Sequence, residues 1–217
     1  AESSLLAIDG MVAEDTIRIS GVEGEIHDLV GTDVVVNNVD GFTMSGLTLD
    51  SISGSDNREL NIHDATIIGA PAIDLDNTAG DLSNLAIDCG GSGTGLTVHH
   101  GRASSSIIVS DSTITSCTKG IDLHTDGESA PMFLNNVAID SMVAISSDGF
   151  DLEVSQGTLN GSLDVDSAIA NLYDVAPLSQ STSSGEITIW STHIFDVRLE
   201  GTPQSANLLL SVNDGQL

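Results

Sequence analysis

His99, His124, Asp122 and Asp126 are the residues of this 217-residue chain whose types and spacing could do chemistry. Asp122, His124 and Asp126 are each two apart, and residues two apart on a strand project from one face. His99 sits at the matching position one repeat earlier, and Asp76 one repeat before that. Two carboxylates on such a strip could cleave a glycosidic bond, one as acid and the other as base or nucleophile. Asp76 or Asp122 would then work with Asp126, and His99 or His124 would assist proton transfer. A polysaccharide lyase would instead need a base, plus a cation to neutralise a uronate carboxylate. Arg102 and Lys119 are the nearby bases. A third chemistry is metal binding, through His99, His124 and Asp122 or through Asp76, Asp122 and His124, whose alternation puts donors on one face. Each has a plain rival, because Asp and His on a solvent-facing strand also serve simply as polar cover.

The elements that would position these residues are short strands. Ile73-Asp-Leu75, Leu96-Thr-Val98, Ile121-Asp-Leu123 and Leu163-Asp-Val165 each place two apolar residues on one face and a polar one on the other. Asp76, His99, His124 and Asp166 follow directly. Val197-Arg-Leu199 is the expected next copy. The segments His99-His-Gly-Arg-Ala-Ser-Ser-Ser106 and His124-Thr-Asp-Gly-Glu-Ser-Ala-Pro131 are longer than their counterparts in other repeats. Long loops on a rigid scaffold tend to carry function, and Arg102, Asp126 and Glu128 lie in these two.

A second strand family makes the repeat explicit. Phe42-Thr-Met44, Leu60-Asn-Ile62, Ile107-Ile-Val109, Met132-Phe-Leu134, Leu152-Glu-Val154, Ile187-Thr-Ile189 and Leu208-Leu-Leu210 all alternate. Two residues later comes a turn residue: Gly46, Asp64, Asn84, Asp111, Asn136, Gln156, Asp174 or Ser191. The column Met44, Ile62, Leu82, Val109, Leu134, Val154, Leu172, Ile189 and Leu210 advances by 17 to 27 residues per step. A unit this short cannot bury its apolar face alone and must stack on its neighbours. The expected fold is all-β: a single-stranded right-handed parallel β-helix, a solenoid of about 8–9 coils. Residues 31–217 would form it, with residues 1–30 as an N-terminal coil or cap. The uneven period argues against left-handed hexapeptide helices, and the unit is too short for a propeller blade. No stretch of 3.6 periodicity supports a helical solenoid.

The stretch Asp33-Val-Val-Val-Asn-Asn-Val-Asp-Gly-Phe-Thr-Met-Ser-Gly-Leu-Thr-Leu49, with Asn84-Leu-Ala-Ile-Asp88 and Asn136-Val-Ala-Ile-Asp140, resembles coils of the pectate-lyase-like right-handed β-helix superfamily. The resemblance is at the level of the repeat and implies the fold. That superfamily hosts lyases, hydrolases, adhesins and inert stalks, so fold alone does not carry function. Its members often stack polar residues at one turn, and Asp64, Asn84, Asp111 and Asn136 resemble such a ladder. Stacked Asp would repel unless protonated, offset or bridged by metal. The Arg-rich catalytic strip of pectate lyases is missing. Of the polygalacturonase motifs, only His99-His-Gly101 is a faint echo. Trp190 and Tyr173 are the sole Trp and Tyr, too few for a sugar-stacking platform.

Composition narrows the setting. The chain is 40% hydrophobic but only 3% aromatic, which predicts a core of Ile, Leu, Val and Ala. Thirty-two acids face 5 Lys plus Arg, for a formal charge of −27. Such a surface repels nucleic acid and anionic lipid. It suits saline surroundings, where repulsion is screened, or Ca²⁺ bound by carboxylate oxygens. No apolar stretch is long enough to span a bilayer. Cys89 and Cys117 fall at nearly equivalent places in adjacent coils, within reach of a disulfide. A bridge would imply an oxidising compartment; the alternative is two small side chains stacked in the core. The chain begins without Met and stops soon after Leu208-Leu-Leu210. The expectation is a piece of a longer protein, or a rod that stacks end to end.

Together these features predict a non-catalytic β-helical module of a secreted or cell-surface protein: a stalk, adhesin or surface-layer-like segment. Its partners would be polysaccharide or neighbouring domains. The alternative is a polysaccharide-active enzyme, hydrolase or lyase, or a carbohydrate-binding module, acting at the strip around His99 and Asp122.

Overall fold

The computed structural model describes residues 5–100, 106–127 and 131–191, and the backbone of residues 198–199 and 202–203. Among the described residues there is no helix, and hence none long and apolar enough to cross a membrane. The strands in chain order are β1 (Leu5–Asp9), β2 (Ile17–Ser20), β3 (Glu23–His27), β4 (Asp33–Asn37), β5 (Phe42–Leu49), β6 (Ser51–Ser55), β7 (Leu60–Ile68), β8 (Ile73–Asp76) and β9 (Gly80–Asp88). They continue as β10 (Thr94–His100), β11 (Ile107–Thr125), β12 (Met132–Asp148), β13 (Leu152–Asp166), β14 (Ile169–Tyr173), β15 (Pro177–Thr182) and β16 (Glu186–Trp190).

These strands stack in parallel as a β-solenoid. One ladder runs β1-β3-β5-β7-β9-β11-β12-β13-β14-β16, and the other runs β2-β4-β6-β8-β10 and on through the second halves of β11, β12 and β13 to β15. The apolar column pairs rung by rung: Met44 with Ile62, Ile62 with Leu82, Leu82 with Val109, Val109 with Leu134, and so on to Leu172 with Ile189. Alternation is the cause. Inward residues of β7 and β11 are buried while their neighbours face water. The core is almost wholly Ile, Leu, Val and Ala, with Phe42, Phe150 and Met44 as its bulkier members. Leu5–Asp9 and Ile17–Ser20 join the same two ladders, on β3 and β4.

Nine corner residues make the sharp bend within each coil, all at positive φ: Gly10, Asp28, Gly46, Asp64, Asn84, Asp111, Asn136, Gln156 and Asp174. The left-handed region penalises most side chains, and Gly, Asn and Asp tolerate it best. Ser191, expected to be the next, is not among them. Register makes these corners direct neighbours. Each Asp is thus followed by a neutral rung: Asp28 by Gly46, Asp64 by Asn84, Asp111 by Asn136. The Asn84 amide donates to the Asp64 carboxylate, and Asn136 Nδ2 donates to Asp111 Oδ1 at 2.8 Å. The repulsion expected of a stacked Asp ladder is answered by alternation and amide donors.

Two sequence expectations are corrected or fall outside the described residues. Arg198–Leu199 (β17) pairs antiparallel with Thr202–Pro203 (β18) instead of continuing the parallel ladder. Two residues, the second a Gly, separate these strands in sequence, the spacing that favours a hairpin. Leu208-Leu-Leu210 lies outside the described residues.

Candidate functional site

The strip predicted from the second strand family is a true column. Ser55, Asp76, His99, His124, Asp148 and Asp166 pair in that order across β6, β8, β10, β11, β12 and β13. Adjacent strands in a sheet stand roughly 4.8 Å apart. That spacing brings the rings of His99 and His124 into a stack, with centroids 5.3 Å apart and planes inclined by 27°.

Asp126 reaches both rings from the bend just after β11. Its carboxylate lies 3.1 Å from His99 Nε2 through Oδ2 and 3.1 Å from His124 Nε2 through Oδ1. The backbone sets this position: Asp126 N–H donates to the His100 carbonyl at 3.1 Å, and the Thr125 hydroxyl donates to the same carbonyl at 2.8 Å. Hydrogen bonds from His124 first, and then His99, hold the Asp126 carboxyl below the usual carboxylate range.

The far nitrogens of both rings also face carboxylates. His124 Nδ1 lies 3.1 Å from Asp148 Oδ2. His99 Nδ1 lies 3.6 Å from Asp76 Oδ1, too long for a hydrogen bond. That Asp76 oxygen is shielded from solvent and has no hydrogen-bond partner among the described residues. Each ring nitrogen of the stack thus has a carboxylate within 3.6 Å.

His100 does something else. The strip expected from sequence puts imidazoles in water, but His100 is fully buried, with its ring 5.1 Å from Phe150. Its Nε2–H donates to the Thr78 carbonyl at 2.9 Å, and Nδ1 has no hydrogen-bond partner among the described residues. Burial pushes its pKa below the ordinary imidazole value. Thr78 belongs to a buried polar chain in which Asn57 Nδ2 donates to its hydroxyl at 3.2 Å.

The remaining candidates divide. Asp122 shares the outward face but stands apart from the cluster, with Lys119 Nζ donating to its Oδ2 at 2.9 Å. The metal set expected from sequence, Asp76, Asp122 and His124, is not the one the fold assembles. Three donor atoms that do lie within 4.8 Å of one another come from His99, His124 and Asp126. Arg102 and Glu128 lie outside the described residues. Cys89 and Cys117 are joined as a disulfide, across 28 residues of sequence and between adjacent coils. Asp148 is the residue that sequence reasoning missed. Its coil carries Ser147 where its neighbours carry Leu123 and Val165. Ser147 is buried and donates its hydroxyl to the Phe150 carbonyl at 2.8 Å. A polar residue at an inward position hid the alternation that would have placed Asp148 on the strip.

The stack lies on an open face. His99, His124 and Asp126 side chains are 41%, 52% and 65% exposed. A shallow depression of about 530 Å³ lies elsewhere, over Asp140, Met142, Asn160 and Leu178.

The fold and the strip together define a parallel β-solenoid with one His- and Asp-bearing face. No protein-family model, no curated protein and no solved structure matches the chain.

Proposed function

We propose that this chain is a non-catalytic β-solenoid module of a secreted or cell-surface protein, a stalk or surface-layer-like segment working in saline surroundings. The observation that carries this reading is the engagement of the candidate catalytic carboxylates. Asp122 is bound by Lys119, and Asp126 is bracketed by two imidazoles on an exposed face. A general acid needs a raised pKa and a substrate cleft, and Asp126 is shifted the other way. Elsewhere the polar side chains bridge coil to coil. Asn160 donates to Asp140, Ser181 to Asp164, and Ser183 and Ser184 to Asp166. Such rungs stiffen a rod.

The disulfide supports an oxidising compartment, and the charge of −27 supports a setting where salt screens repulsion. On this reading, the chain is a scaffold akin to the pectate-lyase-like β-helices without their catalytic residues, a likeness that the coil motifs of residues 33–49 support. Polysaccharide or flanking domains remain the partners in this proposal, and Ca²⁺ acts only as a general counter-ion of the acidic faces.

The test is a panel of neutral and uronate polysaccharides assayed for new reducing ends and for unsaturated products. No turnover is expected. Turnover that disappears in Asp122→Ala or His99→Ala would overturn the reading.

A further inference from the structure

The strip holds an electrostatic problem that the rod alone does not explain. Both nitrogens of His124 face carboxylate oxygens at 3.1 Å. A neutral imidazole donates from only one nitrogen. With Nε2–H donated to Asp126, Nδ1 meets Asp148 without a proton; with Nδ1–H directed at Asp148, the Nε2 lone pair points at Asp126. His99 has Nε2 3.1 Å from Asp126, while its Nδ1 stands 3.6 Å from Asp76, beyond hydrogen-bond reach. In the tautomer with the proton on Nδ1, both Nε2 lone pairs face the Asp126 carboxylate, an arrangement that a bound cation would complete.

We propose that His99 Nε2, His124 Nε2 and the Asp126 carboxylate bind one divalent transition-metal ion of the Zn²⁺ class, which pins two adjacent coils together. The donor atoms lie within 4.8 Å of one another. Ligands roughly 2.0–2.1 Å from a tetrahedral ion stand roughly 3.3 Å apart; His99 Nε2 and His124 Nε2 each lie 3.1 Å from a different oxygen of Asp126, Oδ2 and Oδ1. Small rotations of exposed side chains would complete the geometry.

The surroundings match what metal-bound imidazoles need. A carboxylate on the distal ring nitrogen fixes the tautomer and raises ligand basicity. Asp148 supplies this to His124. The shielded, unpartnered Asp76 oxygen is placed to supply it to His99 once the ring turns to its ligand. The ligands come from both coils: His99 from β10, and His124 and Asp126 from β11 and its bend. The bend is held in place by the Asp126 N–H and Thr125 hydroxyl bonds to His100.

The donor set selects the metal. Two imidazole nitrogens and one carboxylate suit Zn²⁺, Co²⁺, Ni²⁺ or Cu²⁺. Ca²⁺ prefers six to eight oxygens, and Mg²⁺ keeps an octahedral oxygen shell. With three protein ligands on exposed side chains, water completes the coordination. The role assigned is therefore a cross-coil staple, independent of whether any polysaccharide is bound or cleaved.

The test uses the full chain stripped of metal with a chelator and then dialysed. Zn²⁺ binding is measured by competition with a chromophoric chelator at neutral pH, and Co²⁺ substitution is followed by its visible absorption. One equivalent of Zn²⁺ is expected, unaffected by excess Ca²⁺, with a Co²⁺ spectrum of four- or five-coordinate type. His99→Ala, His124→Ala and Asp126→Asn should each weaken binding at least about 10- to 100-fold, and Asp148→Asn about 10-fold. Asp122→Ala and His63→Ala should leave it unchanged. Circular dichroism checks that each variant keeps its strands. For the wild type, a histidine-selective NMR titration keeps the proposal testable without variants: Zn²⁺ should shift the ring signals of His99 and His124 and spare those of His63. No stoichiometric binding, binding that survives His99→Ala with His124→Ala, or equal competition by Ca²⁺ would overturn the proposal.

Discussion

Replacing Asn136 by Asp tests whether alternation of charge at the corner is what lets so acidic a solenoid stack. Asn136 sits between Asp111 and Gln156, and its amide donates to Asp111 at 2.8 Å. Asn136→Asp removes that donor and creates one like-charge contact, while keeping a residue type that tolerates the corner φ of 55°. A lost hydrogen bond of this kind costs about 1 kcal/mol. Two charges about 4.8 Å apart in water repel by about 0.9 kcal/mol before screening. At physiological salt, with a Debye length of about 8 Å, roughly 0.5 kcal/mol of that survives, and at 1 M about 0.2 kcal/mol. The expected total is about 1.5 kcal/mol, a fall in Tm of roughly 3–6 °C for a chain of this size. Thermal melts at low and high NaCl measure it. The comparison with Asn136→Gly isolates the charge, because Gly removes the donor without adding repulsion. The penalty of Asn136→Asp should shrink with salt, and that of Asn136→Gly should not. Asn84 lies between two acids, Asp64 and Asp111, so Asn84→Asp should carry about twice the salt-dependent part. Equal salt dependence in all three variants, or none in any, would refute the alternation argument.

Two further outcomes follow from the same geometry. Removing the bridge with Cys89→Ala and Cys117→Ala frees a 28-residue loop in the unfolded chain, a loss of about 3.6 kcal/mol in the loop-entropy account. Urea melts that coincide with the wild type would contradict it. Asp64 is held below the usual carboxylate range by hydrogen bonds from His63 and Asn84. Its folded pKa is depressed, so its contribution is fully present above the unfolded value and is lost as pH falls through the folded one. Carboxyl NMR should place its titration below that of an ordinary Asp, and His63→Ala should move it upward. A midpoint that does not move in His63→Ala would mean the shift has another source.

The repeat was legible because apolar residues two apart announce a strand and stacking does the rest. The column from Met44 to Ile189 pairs rung by rung. The corners were legible for a related reason, since only a few residue types accept positive φ. The site was legible in part. His99 and His124 could be aligned from spacing, but Asp126 and Asp122 looked equivalent until backbone bonds to His100 separated them. Asp148 was hidden by Ser147. The buried side of His100 was hidden because two successive histidines carry no sign of which one turns inward. Amide-to-carboxylate pairing needed the register itself, which a period of 17 to 27 residues does not define.

The position of the site has a structural cause. In six coils the residue after the strip makes the next corner at positive φ: Gly21, Asn38, Asp56, Asn77, Gly149 and Ser167. In the coils of His99 and His124 that residue is His100 or Thr125, and both remain in the strand. The strand there runs one residue further. That extension carries the His100 ring into the core and leaves its carbonyl available to the next coil. Thr125 and Asp126 bind that carbonyl, and Asp126 is thereby set in front of two stacked imidazoles. The departure from the corner rule and the one cluster of converging nitrogen and oxygen donors found among the described residues are therefore the same event. A variant that restores the corner, His100→Asn, should loosen Asp126 and weaken Zn²⁺ binding while leaving His99 and His124 in place. Unchanged affinity in that variant would separate the cluster from the turn that builds it.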